Sequence, residues 1–270
     1  MSKENETIRF NKEESFHDNW ASNVDINDVM VDESFEACTS PENQFILKEV
    51  TKTTGKKVLE LGCGLGEASV YFAKQGKEVT ASDISSEMLN TVKKVAEKHQ
   101  VSVKTLHCVS DKIDCPDNSF YIIYAGNLLH HVDIENTLKE VSRVLKPNGT
   151  FVSWDPLKYN PIINIYRKMA TEVRTVDEQP LSMKDIKLIK KYFPNIKTHY
   201  TWFFTLFIFI KYYFIDRVDP NKERYWKKVI KEHQNIRGTY LFLAKLDKIV
   251  LSALPFLKKY CWNVTIVAKR

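Results

Sequence analysis

The chain has 270 residues, 43% of them hydrophobic and 27% charged, which is enough for one large globular domain with an elaboration or for one domain plus a small second one. Its formal net charge of +6 is modest for this length and does not by itself imply a nucleic-acid partner. Five cysteines without a C-x-x-C pair exclude a disulfide framework and indicate reduced thiols. The polar N-terminus MSKENETIRFNKEES has no apolar core, so we expect no signal peptide and a cytoplasmic protein.

The predicted elements alternate regularly between about residues 56 and 153. Strands are predicted at 57–61, 78–82, 101–109, 120–125 and 150–154. Helices are predicted at 67–75, 87–99 and 134–145, with Gly76 ending the first and Ser85 or Ser86 capping the second. Strands that alternate with helices at this spacing indicate an α/β fold with an open, doubly wound sheet.

The second half of the chain is less regular. A helix is predicted at 183–192, and strands are predicted at 196–204 and 262–269. Between these two strands lies a long insertion, residues 207–260, which we expect to be helical. It contains twelve Lys or Arg residues against five Asp or Glu residues, so the positive charge of the protein is concentrated there.

The stretch VLELGCGLGEAS, residues 58–69, points to a nucleotide cofactor. Glycines that follow the first strand of an α/β sheet let the backbone pass close to a ligand. Dinucleotide sites use G-x-G-x-x-G with a pyrophosphate at the helix N-terminus. Here Gly62, Gly64 and Gly66 are spaced two apart and are flanked by Glu60 and Glu67. Acidic side chains oppose a pyrophosphate and favour a ligand that bears a sulfonium and an ammonium.

Two further acidic positions follow predicted strands. Asp83 ends the second strand, 17 residues after Gly66, where a carboxylate can accept both hydroxyls of a ribose. Ser110 and Asp111 follow the third strand, where a carboxylate can accept the amino group of an adenine. Each acid taken alone is explained equally well as a surface residue or a helix cap. Their shared position at strand ends favours one nucleoside site.

These segments, with VTASDISSEML, PDNSFYIIYAGNLLHHV and RVLKPNG, resemble a class I S-adenosylmethionine-dependent methyltransferase of the broad "type 11" kind. The resemblance covers roughly residues 45–154 and the final strand. It implies a Rossmann-like, seven-stranded sheet whose last strand is antiparallel, S-adenosylmethionine as cofactor with S-adenosylhomocysteine as product, and no metal. It also implies cofactor contacts from Glu60, Gly62, Cys63, Gly64, Gly66, Asp83, Ile84, Met88, Ser110, Asp111 and Asn127.

The resemblance divides the chain into three parts. Residues 1–44 are expected to form a lid segment, residues 45–206 and 261–270 the methyltransferase core, and residues 207–260 a helical cap. The sequence departs from the family at Tyr121, where Asp is usual, without consequence for the chemistry. NLLH stands where enzymes that methylate the amino groups of nucleic-acid bases have [DN]-P-P-[YFW], so a nucleic-acid substrate is not expected.

Methyl transfer is an in-line displacement, for which alignment is essential and a base is helpful but not obligatory. His131 matches the position of a functional histidine in some small-molecule methyltransferases of this fold. His130 beside it and His17 of the lid segment are further candidates. The alternative for each is a packed, hydrogen-bonded residue without a catalytic role.

The segment 154–181 begins at the end of the fifth strand and is expected to face the active site. Its candidate substrate residues are Asp155, Tyr159, Asn160, Tyr166, Arg167 and Arg174. A helix over 162–173 would place Asn160, Asn164 and Arg167 on one face. Two Arg side chains suit a carboxylate or phosphate of the substrate, but structural salt bridges explain them equally well.

The apolar stretch WFFTLFIFIKYYFI, residues 202–215, is too short to span a bilayer. The cap is expected to pack its apolar face on the sheet, to contact an anionic inner membrane surface or a lipid substrate over residues 202–260, or to form a dimer face. The sequence leaves the oligomeric state open.

We therefore expect a methyltransferase that acts on an O, N or C nucleophile of a small molecule, preferably a hydrophobic or lipid-like one with an anionic group. The alternatives are a sugar or an amine acceptor, or a protein that binds the cofactor without catalysis.

Overall fold

The computed structural model describes residues 3–170 and 178–270, with side chains from residue 10 onwards. Seven strands are seen in this part: β1 (Lys57–Leu61), β2 (Glu78–Asp83), β3 (Val103–His107), β4 (Phe120–Gly126), β5 (Leu145–Pro156), β6 (Asn195–Thr201) and β7 (Asn263–Lys269). They form one sheet in the order β3-β2-β1-β4-β5-β7-β6, and β7 is antiparallel to both neighbours. The predicted Rossmann-like α/β fold with an antiparallel last strand is confirmed.

Helices cover both faces of this sheet. In the described residues they are α1 (Lys3–Ser22), α2 (Glu33–Glu36), α3 (Pro41–Val50), α4 (Glu67–Lys74), α5 (Ser86–Lys98), α6 (Ile134–Val144), α7 (Pro161–Met169), α8 (Met183–Tyr192), α9 (Phe207–Phe214), α10 (Tyr225–Lys231) and α11 (Arg237–Ala253). Side chains alternate along a strand, so Val58 and Ile122 pack with α3, α4 and α5 while Leu59 and Ile123 pack with α6 and α8. The result is two apolar cores, one on each face.

Strand β1 lies at the topological switch point of the sheet. It pairs in parallel with β2 on one side and with β4 on the other. The carboxyl ends of these three strands therefore share one edge, and the loops that follow them meet there. Ligands of open α/β sheets bind in the crevice outside this point.

Several element boundaries differ from the sequence expectation. Strand β5 begins at Leu145, before the predicted start at residue 150, with a shift of register beside β4. Strand β6 ends at Thr201, before the apolar stretch of the cap. Ser85 caps α5 by accepting the backbone N–H of Met88. Helix α7 ends at Met169, and the end of the predicted 162–173 helix lies outside the described residues.

The cap, residues 207–260, contains α9, α10 and α11 and lies between β6 and β7. Its buried side chains form a third apolar cluster around Phe209, Tyr212 and Tyr225, separate from the two clusters on the sheet. Trp202 and Trp262, which flank the cap, belong to this cluster and stand where β6 ends and β7 begins. The cap therefore packs beyond the carboxyl edge of the sheet, not on a sheet face as expected.

Candidate active site

A cavity of about 350 Å³ lies at the carboxyl edge of the parallel strands. Its wall combines α1, the glycine loop after β1, the short helical turn after β4 and the inner side of the cap. This volume falls within the range of small-molecule sites in proteins. The segments that sequence reasoning treated as separate candidates thus enclose one space.

The glycine loop forms one end of the cavity. Gly62 and Gly64 have φ angles of +65° and +50° and both face the cavity. A Cβ on Gly64 would meet no protein atom within 4 Å, so the backbone there adjoins open space. Gly66 does not line the cavity, and a Cβ there would come within 2.9 Å of the Val92 side chain on α5. Gly66 therefore serves the packing of α4 against α5.

Asp83 fixes the glycine loop against the end of β2. Its carboxylate accepts the backbone N–H groups of Gly64 and Ser85, each at 3.0 Å. Burial raises the pKa of this carboxyl, although these hydrogen bonds oppose the shift. Asp83 still lines the cavity, so it remains accessible to a ligand.

Glu60 is buried at the end of β1 and lines the same end of the cavity. Its carboxyl oxygen accepts the Ser69 hydroxyl at 2.5 Å. Burial raises the pKa of Glu60 to about 8, with a smaller contribution from the charge of Glu67. A cation placed beside Glu60 would favour its ionised form. The pair Glu60 and Asp83 gives this end of the cavity an acidic character.

The structure separates the predicted cofactor residues into two groups. Those that line the cavity are Glu60, Gly62, Cys63, Gly64, Asp83, Ile84, Ser110 and Asn127. Gly66, Met88 and Asp111 do not line it. Met88 is fully buried in the core beneath α5, and Asp111 is half-buried away from the cavity. Asn127 has a φ of +58°, a conformation that Asn tolerates better than most residues.

A cluster of two histidines and one glutamate lies above the glycine loop. The Glu13 carboxylate is 3.5 Å from His17 Nε2 and 3.7 Å from His131 Nδ1, and the two imidazole rings are 6.4 Å apart. Burial acts to raise the pKa of Glu13, but the interactions with His131 and His17 outweigh it and lower the pKa to about 2. Sequence reasoning identified both histidines and missed Glu13. The missed signal is the four-residue spacing of Glu13 and His17 on a helix.

The side chain of His130 is oriented by a buried carboxylate, that of Asp155. Its Nδ1 lies 3.0 Å from Asp155 Oδ1, and its backbone N–H donates to the same oxygen at 3.2 Å. Asp155 is fully buried, and burial raises the pKa of its carboxyl well above the usual range. The prediction that Asp155 contacts substrate is therefore corrected: this carboxyl orients His130.

Three side chains near this turn could together hold a metal ion. One ligand atom each of His130, His131 and Glu178 lies within 4.8 Å of the others in the described part of the chain. Two imidazoles and a carboxylate are a donor set that suits divalent transition metals. The sequence-based expectation of no metal remains a prediction, and a chelator test for it is given below.

Two of the predicted substrate residues, Tyr166 and Arg167, line the cavity. Tyr159 does not, because its hydroxyl accepts the backbone N–H of Met183 at the start of α8. Arg174 lies outside the described residues.

Asn160 also lies away from the cavity. It is buried as the N-cap of α7, where its side-chain oxygen accepts the N–H of Ile163 at 3.1 Å. Its amide group donates to the carbonyl of Tyr260 at 2.5 Å, which ties α7 to the end of the cap. The predicted substrate role of Asn160 is therefore replaced by a structural one.

The wall opposite the glycine loop is apolar and aromatic. It includes Trp202, Trp226 and Trp262, together with the guanidinium of Arg224 stacked 4.0 Å from the Trp20 ring centroid. Burial lowers the pKa of Arg224. These residues were not predicted individually, because their approach to the cavity depends on how the cap folds. The interleaving of basic and aromatic residues in the cap was the available signal.

A family model described as "Methyltransferase domain" matches residues 59–153, which include the glycine loop, Asp83 and the histidine turn. This match identifies residues 59–153 as a methyltransferase domain of the class I, S-adenosylmethionine-dependent kind. The chain is 32% identical over 123 residues to the sterol 24-C-methyltransferase ERG6B of Gibberella zeae, covering 44% of this chain and 32% of that protein. It is 34% identical over 149 residues to the ubiquinone/menaquinone biosynthesis C-methyltransferase UbiE of Paraburkholderia phymatum, covering 51% and 60%. The chain thus spans between about a third and three fifths of the length of the first curated relatives it matches.

Solved structures of methyltransferases share the fold. A geranyl diphosphate methyltransferase in complex with GPP and sinefungin matches with a TM-score of 0.56 and 14% identity, over 86% of this chain and 77% of that one. A Haemonchus contortus N-methyltransferase, in complex with phosphomonomethylethanolamine and S-adenosylhomocysteine, matches with a TM-score of 0.55 and 20% identity, over 85% and 52%.

The site fits S-adenosylmethionine, the cofactor expected for the methyltransferase domain that residues 59–153 match. Gly62 and Gly64 present bare backbone to the cavity, and Glu60 and Asp83 supply acceptors for a cationic, hydroxyl-bearing ligand. A side chain at Gly64 would occupy the same space. The residues that would hold S-adenosylmethionine are therefore at the glycine-loop end, and the cap end is left for an acceptor.

Proposed function

We propose that this protein transfers the methyl group of S-adenosylmethionine to an O, N or C nucleophile of a small, largely hydrophobic molecule that carries an anionic group. The observation that supports this proposal is the cavity itself. One cavity is lined by the glycine loop, by His131 and by aromatic residues of the cap.

At the cofactor end, Asp83 is suited to accept the ribose hydroxyls and Glu60 to face the ammonium group. Ile84 and Ser110 form the wall on the β2–β3 side, which suits the adenine. When bound, the cofactor supplies an electrophilic methyl group on a sulfonium centre. The acidic character of this end favours a ligand with positive charge.

In the middle of the cavity, His131 is the candidate that takes the proton of the nucleophile. Glu13 lies beside its Nδ1 and would stabilise the imidazolium that forms. Helix α1 forms part of the cavity wall and is fixed to the N-terminus of α5 through the Ser85 hydroxyl, which donates to the Asp18 carboxylate at 2.5 Å. The Asp18 carboxylate is favoured at this position because it lies at the N-terminus of α5, the positive end of the helix dipole.

At the acceptor end, the walls favour an apolar body and an anionic group. Trp202, Trp262 and Ile163 offer apolar surface, and Arg167 and Arg224 bring guanidinium groups to the same cavity. The Arg224 guanidinium stacks on the Trp20 ring at the cavity wall and would suit an anionic group of the acceptor. Two of the similar proteins are named for a sterol and for quinone biosynthesis, which agrees with an apolar acceptor.

The proposal is tested by incubating the purified full chain with methyl-tritiated S-adenosylmethionine and either the lipid extract or the aqueous metabolite extract of the source cells. We expect label in the lipid fraction that is retained on an anion-exchange resin. Arg224→Gln should reduce this labelling while leaving S-adenosylhomocysteine affinity unchanged, because Arg224 lies at the acceptor end.

The other outcomes separate the alternatives. Label confined to the aqueous fraction would replace the proposal with a sugar or amine acceptor. Absence of label from both fractions, together with normal cofactor binding, would indicate a protein that binds the cofactor without catalysis.

A further inference from the structure

The outward side of the cap is unusually apolar. Ten large apolar side chains are exposed in the described part of the chain, and nine of them lie between Phe207 and Phe256. In a water-facing helix this side is normally polar. The concentration of apolar side chains in one segment indicates an interaction surface rather than scattered exposure.

Helix α11 shows the arrangement most clearly. Tyr240, Asp247 and Leu251 are buried on one side of the helix. Leu241, Phe242 and Ile249 are exposed, Phe242 at 63%; by helical spacing Phe242 and Ile249 lie opposite the buried side and Leu241 lies on its flank. Lys245 and Lys248 are also exposed, Lys245 between Leu241 and Ile249 around the helix and Lys248 on the flank beside Leu241. The exposed face of α11 is therefore apolar with interspersed positive charge.

The orientation of α11 is fixed by its buried carboxylate. Asp247 accepts the backbone N–H of Phe204 at 2.6 Å and the hydroxyl of Thr205 at 2.9 Å, in the turn that leads into α9. The helix is thereby held with its apolar face turned outward. Rotation that would bury Phe242 would remove these hydrogen bonds from a buried carboxylate.

The neighbouring elements extend the same character. Phe214 and Ile215 at the end of α9 are 71% and 72% exposed, and Phe256 in the turn after α11 is also exposed. Lysines accompany them, at Lys211 in α9 and at Lys258 and Lys259 in the turn. We define the outer cap surface as the exposed residues of α9, Ile215, α11 and the turn Pro255–Tyr260.

We propose that the outer cap surface docks on an anionic lipid bilayer and so brings the protein to an acceptor dissolved in that bilayer. The apolar side chains would enter the interface while the lysines meet anionic headgroups. In the described residues no helix is long and apolar enough to cross a bilayer, so contact would be with the surface. The inner side of the same cap lines the cavity through Trp226, Val229 and Ile230.

Charge complementarity favours a bilayer over a second copy of the chain. Lys245, Lys248, Lys258 and Lys259 lie in the elements that form the outer cap surface, whereas Lys211 is paired with Asp216. Two copies meeting through this surface would therefore repel each other. An anionic membrane attracts the same charges and also accepts the apolar side chains. Docking does not depend on the methyltransferase activity; only the delivery of the acceptor rests on the proposed function.

The test is flotation of the full chain with vesicles of phosphatidylcholine alone or of phosphatidylcholine with 30% phosphatidylglycerol (about one anionic lipid in three). We expect binding to the anionic vesicles that weakens as salt is raised, and much weaker binding to the neutral ones. The triple variant Phe214→Ser, Ile215→Ser, Phe242→Ser should bind the anionic vesicles at least about tenfold more weakly, because it removes apolar side chains that enter the interface.

The matched control is Ile165→Ser, which removes a 60% exposed apolar side chain of α7 outside the outer cap surface and should leave binding unchanged. S-adenosylhomocysteine affinity should be normal in every variant, which separates a failure of docking from a failure of the proposed function. Absence of vesicle binding by the unmodified chain overturns the proposal, as does equal loss in the Ile165→Ser control. A concentration-dependent dimer that the triple variant abolishes, without vesicle binding, would assign the surface to a second copy.

Discussion

Gly64→Ala should separate ligand binding from stability at the glycine loop. Gly64 has a φ of +50°, and an added Cβ would contact no protein atom within 4 Å, so the variant carries only the left-handed backbone cost of about 1–2 kcal/mol. The new methyl group would, however, project into the cavity where we place the cofactor. Crowding of a packed site by one methyl typically costs about 1–3 kcal/mol, which equals about a 5- to 150-fold rise in Kd.

Gly76→Ala is the matched control. Gly76 also has a positive φ, +75°, and an added Cβ there would also meet no protein atom within 4 Å, but the residue lies outside the cavity wall. Thermal unfolding should show a similar loss of stability in both variants, and titration calorimetry with S-adenosylhomocysteine should show weakened binding only in Gly64→Ala. Unchanged affinity in Gly64→Ala, or equal weakening in Gly76→Ala, would refute the assignment of the loop to the cofactor.

Three further predictions concern the charged residues of the site. His131→Ala should lower turnover about 10²- to 10⁴-fold without changing S-adenosylhomocysteine affinity, and unchanged turnover would remove His131 from proton transfer. Glu60, with a pKa of about 8 in the free protein, should release its proton to the buffer when a cationic ligand binds at pH 7.5. The binding heat of S-adenosylmethionine should therefore depend on the ionisation enthalpy of the buffer. Glu60→Gln should abolish that dependence. Treatment with EDTA should leave turnover unchanged; a loss that Mn²⁺ or Zn²⁺ restores would instead assign an ion to His130, His131 and Glu178.

The sequence was most informative where function depends on local backbone. Gly62 and Gly64 follow a strand at fixed spacing, and Asp83 ends the next strand, so the parallel topology brings them together without further information. Met88 and Gly66 were assigned to the cofactor because they lie in the same motifs. The structure uses them for packing instead, a distinction that periodicity alone does not make.

The sequence was least informative where distant segments meet. Glu13 reaches His131 only because α1 packs beside α5, and Arg224 reaches the cavity only because the cap folds over the sheet edge. Asp155 shows the converse case. It lies near the end of β5 at the expected edge of the sheet, but its side chain turns away from the cavity to bind His130.

The central claim is that S-adenosylmethionine binds across the ends of β1 and β2 with Asp83 at its ribose. Titration calorimetry of the full chain with S-adenosylmethionine, beside Asp83→Ala, tests it most directly. The account predicts one site per chain, and an affinity at least about a hundredfold lower in the variant, because two hydrogen bonds to a charged acceptor are lost. No heat of binding with the unmodified chain, or equal affinity in the variant, would contradict it.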